Sequence, residues 1–485
     1  MLFNSFAFLI FFPVVTALYF LLPQRWRWLL LLTASCLFYM YLIPKYILIL
    51  VFTIVVDYVA GLLIAPAQGA RRKLFLVCSL IANIGALALF KYCDFLSENL
   101  AAFARALGWN YSLQSLHLIL PVGLSFHTFQ AMSYTIEVYR GRQPAERHFG
   151  IYALYVMFYP QLVAGPIERP QHLLHQLYEK HAFDYDRVTS GLKLMAWGLF
   201  KKAVVADRLA PFVNGVYADP AQAPGPVLLL TAVCFAFQIF CDFSGYSDMA
   251  VGAARVMGFR LMRNFDSPHL SRSISEFWRR WHISLSSWFK DYLYIPLGGH
   301  RCSTSRWCVN IGIVFLVSGL WHGANWTYVI WGGLHGFFIL CGTATERARA
   351  RLAAALGLAR CPRVHATLSI ATTFMLVALC LIFFRARTLH DALDIFRRLP
   401  TGWGLLAQPA RLLESLHGSG LRAMALGLAG ALLVEMVQVL QRRYALLALV
   451  NAQPWWVRWS LYYAGVAAVF FLYGQEGDQF IYYQF

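Results

Sequence analysis

Apolar runs close to the length needed to cross a bilayer follow one another almost from one end of this chain to the other. A helix needs roughly 17–25 mainly apolar residues to span hydrocarbon. Runs near that length lie at 6–23, 28–43, 45–65, 74–92, 116–137, 227–241, 309–322, 326–342, 366–384, 423–440 and 458–473. Of the 485 residues 59% are hydrophobic and 13% charged, against about 25% charged in soluble domains. This excludes an ordinary soluble enzyme. The chain reads as an all-α polytopic membrane protein, with on the order of eleven to thirteen membrane-associated helices by length. Length alone would suggest two or three soluble domains. The runs continue throughout, without internal repeat, low-complexity segment or long linker, so one membrane-embedded body is expected: N-terminal helices over 1–148, a catalytic region over 149–345 and C-terminal helices over 346–485. The first run lacks a preceding basic region and a following A-x-A-like site, and reads as a retained span.

Forty-one basic residues against 23 acidic ones leave a net charge of +18. In a membrane protein this excess points first to cytoplasmic loops; nucleic-acid binding explains it poorly. Arg25 and Arg27 follow the first span, Arg71, Arg72 and Lys73 the third, and Arg140, Arg142 and Arg147 the fifth. All three loops are therefore expected in the cytoplasm, with the N-terminus on the opposite side. A basic patch beside a membrane can also hold an anionic substrate. The ten cysteines are scattered, mostly inside apolar runs, with no metal-like spacing, and read as small core residues.

Beyond residue 148 the apolar runs shorten and are interrupted, as at Tyr159-Pro160 and Ala164-Gly165-Pro166. Irregular backbone at membrane depth persists only where protein or a wet cavity surrounds it, so function is sought here. Basic residues concentrate from Arg255 to Arg306. Within that stretch Ile274, Trp278, Trp281, Leu285, Trp288 and Tyr292 fall in steps of three and four, which predicts one aromatic helix face, with Arg279, Arg280 and Lys290 opposite. Such a helix would lie in the membrane interface. His282 would then sit at the rim between its faces.

His322 ends the apolar run from Val309, just before Gly323-Ala324-Asn325. An ionisable side chain at that depth is a functional candidate; the alternative is a histidine satisfied by a nearby carbonyl. For His282 the plain alternative is a polar residue at an amphipathic boundary. Asp242 and Asp248, near the end of another apolar run, either pair with a cation or orient a histidine. Asp207, after Lys201-Lys202, carries the same choice. His181 to Asp186 spells one H-x-x-x-x-D in a polar loop, readily accidental among 14 histidines. Walker A, G-x-S-x-G, H-E-x-x-H and Rossmann glycine patterns do not occur.

Longer motifs resemble the membrane-bound O-acyltransferases, and within them the bacterial alginate O-acetylase group. They are LPVGLSF at 120–126, VYRG at 138–141, QLVAGPI at 161–167, DFSGYSDMA at 242–250, EFWRRWHISLS at 276–286, DYLYIPLGG at 291–299 and SGLWHGANW at 318–326. The resemblance implies that His322 is the principal catalytic residue and His282 a second, within a ring of helices around a thinned centre where funnels from the two sides meet. It implies an activated acyl donor on the cytoplasmic side, acetyl-coenzyme A, as a substrate with no tightly bound cofactor and no metal. Arg279, Arg280 and Trp281 are the expected donor-binding residues, Asp242 and Asp248 supporting ones, and the Asn325 amide a candidate oxyanion donor. An exopolysaccharide such as alginate would be the acceptor, reached through a periplasmic acetyltransferase partner. A multi-pass protein of the bacterial inner membrane, in contact with lipid, is the implied setting. D-alanyl transfer and lipid acylation are alternatives within the superfamily, and a transporter is the alternative outside it.

Overall fold

The computed structural model describes residues 1–41, 43–109, 118, 120–163, 165–411 and 420–472. Parts of the expected 116–137 span, Ala164 of the QLVAGPI motif and residue 473 lie outside this set. Among the described residues the regular structure is helical, and seven helices are long and apolar enough to cross a membrane: Pro44–Ile64, Gly69–Lys91, Gly225–Met257, Thr304–His322, Trp326–Ala344, Pro362–Arg385 and Leu421–Gln441. The apolar first run forms the shorter helix Phe6–Leu21, capped by Ser5, whose side chain accepts from the Phe8 amide. Exposed leucines, isoleucines and phenylalanines on these helices, such as Phe6, Leu48, Ile81 and Leu432, are the surface that lipid would cover.

The chain forms two compact units, residues 1–196 with 246–263 and residues 197–245 with 264–485. In the first unit a buried polar cluster joins three helices. Asp57 accepts from Ser79 Oγ at 2.6 Å and Asn83 Nδ2 at 2.8 Å, and Ser79 also reaches Thr135 at 3.1 Å. Polar bonds of this kind hold apolar helices in register where packing alone is permissive. The same unit gathers its basic loops at one end: Arg72 donates to the Val138 carbonyl, Tyr58 to that of Arg147, Gln24 to that of Glu179, and Tyr178 to the Glu146 carboxylate. The loops that the charge pattern assigned to one side thus meet.

The second unit is built on the antiparallel hairpin of Thr304–His322 and Trp326–Ala344. The two backbones touch because glycines line the seam: a Cβ on Gly332 would stand 2.2 Å from the Phe315 carbonyl oxygen, and one on Gly319 would stand 2.3 Å from that of Tyr328. Against this hairpin pack Pro362–Arg385 and the segment from residue 264 to about 300. That segment corrects the expected interfacial helix. Helix Ile274–Arg280 ends at Trp281, a second short helix runs over Ile283–Phe289, and a π turn follows at Lys290–Tyr294. Its aromatic face points into protein, with Trp278, Trp281, Leu285 and Trp288 all buried. Periodicity recorded the burial; it could not distinguish a protein core from a lipid interface. A helical stretch from Tyr185 to Ala218, interrupted by a buried π turn at Lys201–Ala206, does not stand out in the sequence as a span because its polar residues mask it.

Candidate active site

His322 is the last residue of its helix, where Gly323 turns extended and Asn325 caps the next helix by accepting from the Thr327 amide at 3.0 Å. The hairpin turn therefore fixes the imidazole. It is 5% exposed and lies edge to face with Trp321, Trp331 and Phe384, at centroid distances of 4.9, 5.0 and 5.5 Å. Beside it is a cavity of about 10 Å³, lined by His322, Trp331, His335, His269, Phe277 and Trp281 among others. That is the space of roughly one water-sized group.

His282 is fully buried, which corrects its expected place at a rim. Its backbone is left-handed, at φ 44 and ψ 55, a conformation that L residues other than glycine seldom adopt and that marks stored strain. Hydrogen bonds with the irregular segment 264–266 hold it there: Ile283 N donates to the Asn264 carbonyl at 2.9 Å, Ser284 Oγ to Asn264 Oδ1 at 2.6 Å, and Asp266 N to the Arg280 carbonyl at 3.0 Å. The ring packs on Phe243 at 4.7 Å and against Trp321 at 6.2 Å. The two motif histidines therefore share one indole, that of Trp321. Burial holds the His282 pKa well below the ordinary imidazole value, so this ring is neutral across physiological pH. A base so weakened is better suited to hydrogen bonding than to taking a proton.

The other expected site residues divide. Trp281 is buried and lines the His322 cavity, stacked on Phe277. Arg280 is committed to Glu276 at 2.5 Å, whereas Arg279 is exposed. Asp242 faces Lys202, whose Nζ lies 2.8 Å from both Asp207 and Asp242; these buried carboxylates are structural ion-pair partners. Removing the lysine would leave buried charge uncompensated. Asn325 spends its amide on the Arg387 carbonyl at 3.2 Å, so its visible work is capping. Asp248 belongs to the first unit and is half-buried. His181 donates through Nε2 to the Gln176 carbonyl, 3.0 Å away, in that same unit, while Asp186 opens a helix.

Two further histidines line the cavity that the sequence motifs do not mark. His335, fully buried within Trp326–Ala344, packs on Trp278 and Trp331 at 5.1 Å each, and neither ring nitrogen has a hydrogen-bond partner among the described residues. Like His322, it is an ionisable group inside an apolar run. His269, bonded through Nδ1 to Glu435 at 2.7 Å, comes from an irregular segment and gave no local signal. Among the described residues no cluster suits a metal ion. The arrangement supplies a buried imidazole, water-poor aromatic walls and further histidines, which suits proton transfer on an uncharged acceptor.

Comparison with known proteins identifies the family. The sequence profile of the membrane-bound O-acyltransferase family matches residues 147–355, which contain both motif histidines. The chain is 39% identical over 403 residues to the probable alginate O-acetylase AlgI of Pseudomonas aeruginosa, covering 82% of this chain and 75% of that one. It is 36% identical to the peptidoglycan O-acetyltransferase of Helicobacter pylori, over 78% and 73% of the two chains. It is 29% identical to the teichoic acid D-alanyltransferase of Streptococcus thermophilus, over 47% and 57% of the two chains. A multi-pass helical body and this extent of identity lead to one conclusion: the chain belongs to the membrane-bound O-acyltransferase family and is an O-acyltransferase.

Proposed function

We propose that this protein takes an acetyl group from acetyl-coenzyme A at the cytoplasmic face of the bacterial inner membrane, the N-terminus lying on the periplasmic side. It passes the group across for O-acetylation of an exopolysaccharide such as alginate, through a periplasmic acetyltransferase partner. The reading is carried by 39% identity over 82% of the chain to a probable alginate O-acetylase. The peptidoglycan relative also transfers acetyl to a glycan, and the D-alanyl relative matches less of the chain, which favours acetyl over D-alanyl.

In this mechanism His322 is the general base. The acceptor hydroxyl donates to its imidazole, and the hydroxyl oxygen attacks the thioester carbonyl as the proton moves to the ring. The tetrahedral intermediate collapses with cleavage of the C–S bond, and the imidazolium returns its proton to the departing sulfur. Trp321 and Trp331 pack around the ring and fix its orientation for the transfer. The cavity admits only a water-sized group, so substrate access requires its aromatic walls to move.

The test is release of free coenzyme A from labelled acetyl-coenzyme A by the protein in nanodiscs, with a candidate acceptor partner, compared with His322→Ala. Release by the wild type and its loss in a folded variant support the reading. Equal release by both removes His322 from the mechanism, and no release by either, with donor and partner varied, removes acetyl transfer.

A further inference from the structure

The first unit contains a larger cavity that the acetyl-transfer mechanism does not use. Its volume is about 840 Å³, within the roughly 300–1,000 Å³ range of small-molecule sites. Three arginines line it, Arg187, Arg255 and Arg260, with His172, His175 and His181; Glu179 is the acidic lining residue, and it lies 3.7 Å from His175.

The cations come from different elements and are held in place. Arg255, at the end of Gly225–Met257, donates to Ser190 Oγ at 3.0 Å. Arg187 donates through its guanidinium to the Ala182 carbonyl, and its amide is capped by Asp184 at 2.7 Å. Arg260 is exposed, and its backbone amide is fixed by Gln176 Oε1 at 2.7 Å. His172 is bonded through Nδ1 to Glu168 at 2.6 Å, and Glu168, fully buried, also accepts from the Met262 amide. That bond raises the His172 pKa above its ordinary value, while burial lowers that of His181. His172 is thereby paired with an acidic group, and His181, edge on to Phe259 at 4.7 Å, forms part of the wall. Gly258, at φ +108, lets the backbone pass beneath His181, since a Cβ there would lie 2.7 Å from that side chain.

Topological retention of loops requires positive charge near the membrane but not its convergence on a concavity. Here guanidiniums from separate elements, each tied by a hydrogen bond through its side chain or backbone, surround one space, and their forked donors match phosphate oxygens. Gln24 and Arg27 donate to the Glu179 and His181 carbonyls, so the cavity opens at the end where the basic loops gather.

We propose that this cavity is a phosphate-binding site, with Arg187, Arg255 and Arg260 holding the phosphate groups of a phosphorylated ligand. The chemistry is shared by a soluble phosphorylated donor and by an anionic lipid headgroup. The site stands without the acetyl-transfer reading; only its assignment to the donor rests on that reading.

The test uses the full chain in neutral detergent, with radiolabelled inorganic pyrophosphate as probe. Wild type should bind it saturably, and Arg255→Gln with Arg260→Gln should weaken binding by at least about tenfold, as the loss of charge-assisted bonds requires. Arg187→Gln alone, in the first turn of helix Tyr185–Phe200, should weaken it in the same direction and covers a fold defect in the double variant. Arg347→Gln with Arg351→Gln removes equal charge from exposed positions elsewhere and should leave binding unchanged. Displacement by coenzyme A assigns the site to the donor, and displacement by short-chain phosphatidylglycerol assigns it to lipid. No saturable binding by wild type, or equal weakening by the Arg347 and Arg351 pair, overturns the proposal. Absence of acetyl transfer by the wild type with pyrophosphate binding intact would count against the function above and not against this site.

Discussion

The two motif histidines occupy opposite kinds of structure within one unit. His322 closes a regular spanning helix, at a turn where Gly323 and the Asn325 cap are visible in the sequence. His282 sits in a break between two seven-residue helices, in a left-handed conformation imposed by residues 264–266. The first is placed by local chemistry and the second by tertiary hydrogen bonds. A site can therefore combine a group delivered by a rigid element with one held under strain, and substitutions at the two should fail in different ways.

The widest contrast is expected from His322→Ala. Loss of a general base should lower acetyl transfer by about 10²–10⁴-fold with the melting temperature preserved, measured by coenzyme A release and thermal unfolding. A variant that keeps its activity would move the chemistry off the hairpin.

Next is the hairpin seam. Gly332→Val places a side chain where even Cβ would meet the Phe315 carbonyl at 2.2 Å, and overpacking of this kind costs about 1–3 kcal/mol or more. A fall in melting temperature, with activity lost in proportion to folded protein, is expected; an unchanged melting temperature would mean that the helices are not locked at this point.

The strained histidine separates backbone from side chain. At φ 44 glycine fits and alanine does not, so His282→Gly should be more stable than His282→Ala by about 1–2 kcal/mol. Both should lose transfer if the imidazole contributes. Recovery of transfer in the glycine variant alone would assign His282 a purely conformational role.

The smallest effect should come from Asn325→Ala, which removes a cap worth about 1 kcal/mol and should reduce transfer by less than about tenfold. A loss of about 10²–10³-fold would instead be that of an oxyanion donor, and would return this amide to the chemistry.

Much of the architecture was legible because a bilayer imposes length and apolarity directly on the residues that cross it. Runs predicted at 309–322 and 326–342 became Thr304–His322 and Trp326–Ala344, and His322 stood out as an ionisable group at the end of such a run. In sequence Ile274 to Tyr292 reads as one interfacial helix because an aromatic stripe looks the same whether it faces lipid or Phe315 and Trp331, which Trp278 meets at 5.4 and 5.7 Å. Asp242 could not be assigned between a cation and a histidine until Lys202 and Asp207 were brought beside it.

By itself the sequence determined that this protein crosses the membrane many times, which loops carry the positive charge, and which motif ends in His322. Those properties reside in consecutive residues, each responding to the bilayer or its field. Tertiary structure alone decided that His282 is buried and strained, that His269 with Glu435 and His335 line the cavity beside His322, and that Arg187, Arg255 and Arg260 surround one space. Such groups are distant in the chain, and their meeting depends on where helices break and how closely glycine-lined backbones approach, which no local pattern encodes.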